Sequence, residues 1–483
     1  MHMQAKISTW FIAGLWVLYA CGAADGAWTQ LGSSLNINSN QSGLRPRIAI
    51  YNNQPYVTWH ENNPSYPATH IYVKQWNGSN WVQVGGALNF NVATNASYPS
   101  IACSGSHQYV AWIEGSPSQT YVSGWNGTGW TSGTNLNVNG ANTSYTPEIE
   151  MLGESPYVTW RESSDVYMKF YNGTDWQQLG SGAINTKTSA FYPRVAFRGT
   201  TPLDLFYEES SLTVKQYTGG NWDFVHGAVN NFSTGLGMGG IATSSIGTYV
   251  TWFEGSPTQI LVKVDYGSAW EAVGGTLNVD PLYNAYNPRI ALVSNTPYVT
   301  WYEYSAIANQ VYVKYYNGTS ASWQNLGGSL NGNTSNAATT PDIAISNSGV
   351  YVVWCENDGV AQQVYVKYWD FPAPIATPTP TSIPSPTPTP WVHGGLSKNS
   401  SLAYPNPAAN RVTVSFWADS GSGEAVVRFY NTHYRLVAQA SGTATDGQGE
   451  ISLDISGMAP GVYFYQVMTG GTKLPMGRVV VAR

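Results

Sequence analysis

Three arginines, Arg47, Arg194 and Arg289, stand at equivalent places in a chain that repeats itself, each directly after a proline. A guanidinium is a planar fork of donors that stays charged throughout the physiological range. Three of them brought to one place would grip a carboxylate or another oxyanion. The same position in the other repeats holds Ser100, Glu148, Gly240 and Asp342. Glu148 lies one repeat before Arg194, and Asp342 falls between Arg289 and Arg47 if the repeats close into a ring. Opposite charges on neighbouring repeats are expected to form ion pairs that fix packing, and that structural role is preferred over anion binding.

A second set is a glutamate two residues beyond an aromatic anchor: Trp59, Trp112, Trp160, Phe206, Trp252, Trp301 and Trp354 precede Glu61, Glu114, Glu162, Glu208, Glu254, Glu303 and Glu356. A carboxylate present in every repeat is more naturally structural than catalytic. Strict alternation puts it on the side of the strand that carries the Trp, at the margin of an interface, receiving hydrogen bonds. The indole should pack there beside Tyr72, Tyr121, Tyr167, Tyr312 and Tyr365. A lectin would also repeat its site, an aromatic stacking on a sugar face beside an accepting carboxylate. Against seven equal sites stands the variable residue between them: His60, Ile113, Arg161, Tyr207, Phe253, Tyr302 and Cys355. A subset of sites stays open, with His60 and Tyr302 joining Arg47, Arg194 and Arg289 as candidate ligand-binding residues.

The anchors recur every 46 to 53 residues, the length of one four-stranded propeller blade. Each repeat divides into four short runs rich in Val, Ile, Tyr and Trp and punctuated by Gly, Asn and Pro. In the first these are Arg47 to Ile50, Tyr56 to Glu61, Ile71 to Trp76 and Trp81 to Val84, here strands a to d. Asn77-Gly78, Asn126-Gly127, Asn172-Gly173 and Asn317-Gly318 predict tight c-to-d hairpins in which both residues tolerate positive φ. A lone d-type run, Trp28 to Gly32, precedes the first repeat, and the last repeat supplies only a, b and c. The early run is therefore expected to complete the last blade and close a seven-bladed all-β propeller spanning residues 27–371. The long d-to-a and b-to-c connections gather on one face, the expected binding face.

Charged residues are only 10% of the chain, the net charge is −6 and the pI near 5.6, against about 25% charged in an ordinary domain. No basic patch for nucleic acid follows. Residues 1–24 read as a secretory signal, with Lys6, an apolar run from Trp10 to Ala20 and small residues after it. That run is too short to span a bilayer, so no transmembrane span is expected in the mature protein. Cys21 follows Leu18-Tyr19-Ala20, a sequence similar to a lipoprotein box, with bulky Tyr19 where a small residue is usual; removal with the leader is the preferred fate. Cys103 and Cys355 belong to blades that are not neighbours and read as small buried hydrophobes rather than a disulfide. The histidines are scattered and no metal or nucleotide motif appears, so no cofactor is expected.

Residues 372–392 are a Pro/Thr-rich linker, and 396–483 return to alternating strands of a small immunoglobulin-like β-sandwich. With Tyr404-Pro405-Asn406-Pro407, Met458-Ala459-Pro460-Gly461-Val462-Tyr463-Phe464 and a terminal Arg478-Val479-Val480-Val481, this part resembles the C-terminal sorting domains of type IX secretion cargo. Tyr434 stands where that family commonly has a turn glycine, leaving a flagellar-hook-type immunoglobulin-like domain as the alternative. The resemblance implies an export label read by the outer-membrane secretion machinery and a secreted or cell-surface location. The three axial arginines resemble the carboxylate-binding arginines of sialidases, but the Ser-x-Asp-x-Gly-x-Thr-Trp turns are missing, no tyrosine and glutamate pair stands out, and sialidases usually have six blades. The expected function is recognition or adhesion toward a glycan or another surface macromolecule; a polysaccharide hydrolase or lyase with an axial site, and a structural envelope protein, are the alternatives.

Overall fold

Among the described residues the strand-and-turn pattern is realised without a helix. A computed structural model of the chain describes residues 27–371 and 398–481, except 64–67, 106, 319, 405, 407, 409, 420, 432–435 and 459–460. Residues 1–24, expected to be a secretory signal, with Cys21, the expected linker 372–392 and Tyr434 lie outside the described residues. Two units separate, Met1–Ala376 and Thr377–Arg483.

In the first unit seven four-stranded antiparallel sheets form seven blades. The opening strand Thr29–Gln30 pairs with Gln362–Asp370, Thr29 opposite Tyr368 and Gln30 opposite Lys367, and so completes the last blade as expected. Each strand a touches strand a of both neighbouring blades, and the ring closes where Gly43–Tyr51 meets Ala338–Ile345. Strand a is therefore innermost and borders the axis.

Sandwiched between blades are the anchors. Trp59, Trp112, Trp160, Trp252, Trp301 and Trp354 are fully buried. Trp59 packs 6.0 Å from Tyr72 and carries the Lys74 ammonium 5.8 Å from its ring. The same Tyr and Lys partners recur at Trp160, Trp301 and Trp354. Burying an aromatic of this size is the dominant favourable contribution at each seam.

The glutamates are the polar half of the same seam. Glu303 accepts hydrogen bonds from Val279 N at 2.8 Å, Asp280 N at 2.7 Å and Trp301 Nε1 at 3.0 Å. Val279 and Asp280 belong to the d-to-a connection leading into that blade. An asparagine one place earlier, Asn278, accepts from Ile260 N of the preceding blade and donates to Thr258 and Tyr283 carbonyls. Long polar loops are thereby pinned at both ends, and buried backbone groups that no strand pairs find partners.

Hairpins between c and d differ from expectation in one respect. In three of them only the glycine takes positive φ, 98° at Gly78, 94° at Gly127 and 100° at Gly173, whereas after Asn317 the connection is longer and Ala321 (49°) takes it. The asparagine instead caps the turn with its side chain, Asn77 Oδ1 accepting from Ser79 N and Asn80 N. Cys103 and Cys355 are both free thiols. The second unit is two facing sheets: Ser400–Tyr404, Arg411–Trp417 and Gln448–Asp454 in one, and in the other Leu436–Ala444, Gly423–Tyr430, Gly461–Thr469, Thr472–Lys473 and Gly477–Val481. Val412, Val414 and Phe416 from the first pack on Val427, Phe429 and Tyr465 from the second in a single core. No described helix is long and apolar enough to cross a membrane.

Candidate functional site

Every strand a carries a register shift where it enters the ring, between Leu44 and Arg47 in the first blade and at equivalent places in all seven. The bulge is written by an X-Pro pair whose first residue adopts a left-handed backbone: Arg45 (φ 51°), Tyr98 (53°), Thr146 (43°), Tyr192 (56°), Asn287 (53°) and Thr340 (50°). Gly239 replaces the proline in the fifth blade, after Met238. Positive φ is unfavourable for side chains of this size, so each bulge holds local strain that the surrounding sheet sustains.

The residues on either side of the proline are thereby turned toward the axis. Those after the proline bring Arg47, Arg194 and Arg289 together around one carboxylate. Glu148 lies 2.9 Å from Arg289 Nη1, 3.3 Å from Arg194 Nη1 and 4.0 Å from Arg47 Nε. Pairing is therefore not confined to adjacent blades, because Glu148 in the third blade reaches across the axis to Arg289 in the sixth. Asp342 adds a contact to Arg289 at 3.7 Å and accepts from Ile48 N at 3.1 Å, while Ser100 Oγ accepts from Ile149 N at 3.2 Å.

Burial by itself would raise the Glu148 carboxyl, but Arg194, Arg289 and Arg47 outweigh it and hold it down at about 2. Burial, aided by neighbouring guanidiniums, lowers Arg47 to about 10 and Arg194 to about 9. Arg47 Nε and Arg194 Nε have no hydrogen-bond acceptor. Asp204 occupies a place held by valine in the other six blades; it accepts from Arg194 N at 3.3 Å and from Thr159 Oγ1 at 2.5 Å, fixing the bulge beneath that arginine.

Residues before the proline form the rim of a cavity of about 200 Å³ lined by Arg45, Arg47, Tyr98, Glu148, Tyr192 and Arg194. The Arg45 guanidinium lies 4.0 Å from the centre of the Tyr98 ring. Farther along the axis a second cavity of about 130 Å³ is reached by Glu150, whose carboxyl is pushed up to about 7 by desolvation and by Glu148 and Asp342. Three guanidiniums, of Arg45, Arg47 and Arg194, thus share the mouth with the one carboxylate of Glu148, and the excess there is of guanidinium. Arg45, Tyr98 and Tyr192 were not among the residues expected from sequence, although the X-Pro pairs that place them are visible there.

His60 and Tyr302 lie elsewhere. Each sits on strand b opposite a residue of strand a, Leu44 and Tyr286 respectively, within the seams. His60 is buried, its imidazole driven down to about 3 by desolvation and by Arg45, and Nδ1 has no hydrogen-bond partner. Tyr302 joins Tyr286 at 5.7 Å and exposed Tyr304 at 6.3 Å; burial pushes its phenol up to about 12. The five candidates are therefore not one site: three line the axis and two serve separate seams. Among the described residues no cluster of His, Cys, Asp and Glu could hold a metal ion.

Residues 402–481 match the family described as a secretion system C-terminal sorting domain. The C-terminal unit is a secretion sorting domain. Its presence marks the chain for export by the type IX machinery, to the cell surface or beyond it. No curated protein matches the sequence. Among solved structures the chain is similar to a phage phi92 endosialidase (11% identity, TM-score 0.44, covering 75% of this chain and 72% of that one). It is also similar to a Trypanosoma rangeli sialidase in complex with the inhibitor DANA (9%, 0.42, 94% and 92%) and to the polysaccharide lyase Uly1 (9%, 0.44, 67% and 89%).

Proposed function

We propose that the exported chain is a recognition module whose axial mouth, on the face of the long loops, binds an acidic glycan. The observation that carries this reading is the excess of guanidinium over carboxylate at the mouth, where Arg45, Arg47 and Arg194 line one cavity with Glu148 and Arg45 stands on its rim. Tyr98 and Tyr192 border the same cavity and offer faces to a sugar ring. Glu148 holds the inner guanidiniums in place, so an incoming carboxylate meets a preorganised positive rim and does not have to displace the internal anion.

Isothermal calorimetry of the mature chain with oligogalacturonate, sialyl-oligosaccharides and matched neutral oligosaccharides tests this. One acidic ligand should bind at a single site, more weakly as salt rises, and Arg45→Ala should reduce its affinity about tenfold, the effect of removing about 1.4 kcal/mol. Equal affinity for the neutral counterparts would refute it. Release of new reducing ends or unsaturated uronate during the titration would instead identify a hydrolase or lyase.

A further inference from the structure

The seven blades are not equal on the opposite face, where the short a-to-b and c-to-d turns lie. Around the rim, the indole opening each strand d donates to a backbone carbonyl of the preceding blade's strand d. Trp81 Nε1 reaches Leu31 O at 2.7 Å, Trp130 reaches Val84 O at 2.8 Å and Trp222 reaches Leu179 O at 3.0 Å. Trp270, Trp323 and Trp28 repeat the contact. Among the described residues, Trp176 alone of these seven makes no such bond, and its seam is the one between the second and third blades.

Substitutions confined to the second blade account for the break. Ser123, on the face of strand c turned toward the first blade, stands where the other six have Lys74, Lys169, Lys215, Lys263, Lys314 and Lys367. Gly124 stands where they have Gln75, Phe170, Gln216, Val264, Tyr315 and Tyr368, and Gly133 stands where strand d elsewhere has Leu or Val, or Leu31 in the closing strand. Strand d also slips by one residue in register: its pairing falls at Thr134–Asn135 against Tyr121 and Val122, and Ser123 Oγ donates to Thr131 O at 2.6 Å. A Cβ on Gly124 would lie 2.7 Å from the Tyr109 ring, so the glycine makes room for that ring.

The result is an open groove of about 1290 Å³ along the seam. Tyr109, Tyr171 and Trp176 supply aromatic surface; the amides of Asn126 and Asn172 and the Thr131 hydroxyl stand among them. Charge is sparse and mixed. Glu154 pairs with His107 at 3.0 Å, and the other charged groups are Lys169 and Asp175. The volume exceeds the roughly 300–1,000 Å³ usual for a small-molecule pocket, which fits a chain better than a single sugar.

We infer that this groove is a second binding site, for a segment of a neutral polysaccharide. Its rings would stack on the apolar faces of successive sugars while the amides and the hydroxyl meet their hydroxyl groups. The site stands apart from the axial mouth in place and in charge, and it does not rest on the acidic-glycan reading.

Affinity electrophoresis of the mature chain through gels containing a β-glucan, a galactomannan or a xylan is the test. At least one should retard the protein, and an acidic oligosaccharide in the gel should not relieve the retardation. Trp176→Ala should weaken it at least tenfold. Gly124→Gln restores the residue that the first and fourth blades carry on the groove side of strand c, and it should weaken retardation to a similar extent. Passage through all three gels without retardation would overturn the inference, as would retardation that persists in both variants or that acidic competitor abolishes.

Discussion

Replacing Glu303 by alanine removes the acceptor for three donors at once, Val279 N, Asp280 N and Trp301 Nε1, while Glu303 is only 2% exposed. A buried donor left without a partner costs about 1–3 kcal/mol. The connection carrying Val279 and Asp280 is partly open to water, which can resolvate one of them. The expected loss is therefore about 3–5 kcal/mol, a large share of the 5–15 kcal/mol typical of a folded domain. One kcal/mol moves the midpoint about 2–4 °C in a unit of 150–250 residues; the propeller is larger, so a fall on the order of 4–8 °C is expected by scanning calorimetry at a fixed scan rate. The repeat supplies its own control. In the fourth blade Phe206 replaces the indole, and Glu208 accepts only from Thr186 N and Lys187 N, each at 3.1 Å. Glu208→Ala should cost about half to two thirds as much. An equal or larger loss for Glu208→Ala would refute the view that these carboxylates act by the number of donors they satisfy.

His60 gives a pH-dependent counterpart. Its folded pKa of about 3 lies below the ordinary 6.5, so below pH 6.5 the unfolded chain binds the extra proton. Stability is full above that pH and falls, by at most about 4–5 kcal/mol, as pH drops toward 3. His60→Leu should flatten this part of the denaturation profile; Glu61, raised by burial and carrying the opposite slope, is common to both chains and drops out of the comparison. Glu148→Gln leaves three desolvated guanidiniums without their shared anion and should destabilise the ring by about 3–5 kcal/mol, measured by chemical denaturation; no change would show that the axial cluster is not a packing device. Deleting residues 27–31 removes the pairing of Thr29 with Tyr368 and of Gln30 with Lys367 and bares the edge of Gln362–Asp370. The truncated chain should elute as aggregates or higher oligomers on size exclusion, whereas an unaltered monomer would show that ring closure does not depend on this strand.

Blade number, ring closure and the Trp–Tyr seams were legible because each depends on a local pattern repeated at a fixed interval. Trp59 predicts its partner Tyr72 by cross-strand pairing alone, and Glu61 predicts its face by alternation. The cross-axis pair of Glu148 with Arg289 was not legible in that way. Linear spacing states which blade a residue belongs to, but the distance across the axis follows from the bulges, which turn long side chains inward from opposite sides. The bulges themselves had a signal in the X-Pro pairs, and reading the residue before each proline as well as the one after it would have exposed Arg45, Tyr98 and Tyr192 as the rim.

Repetition also explains why the groove escaped notice. A residue such as Ser123 or Gly124 is unremarkable alone and becomes informative only against the lysines and bulky side chains of the other blades. In a ring whose seams are built from the same parts, stability demands that each position keep its repeated residue, so loss of the bulky side chain at Gly124 and of the rim hydrogen bond at one seam requires a compensating pressure. This seam gives up a bulky side chain and a rim hydrogen bond and in exchange opens aromatic surface to water, a change that packing alone disfavours. A ligand that covers those rings restores the burial that the seam has lost. The same reasoning separates the two proposed sites. At the axis the repeat is varied by charge around one buried carboxylate, and at the rim it is varied by removal of side chains. The first selects for anions and the second for an extended, uncharged surface.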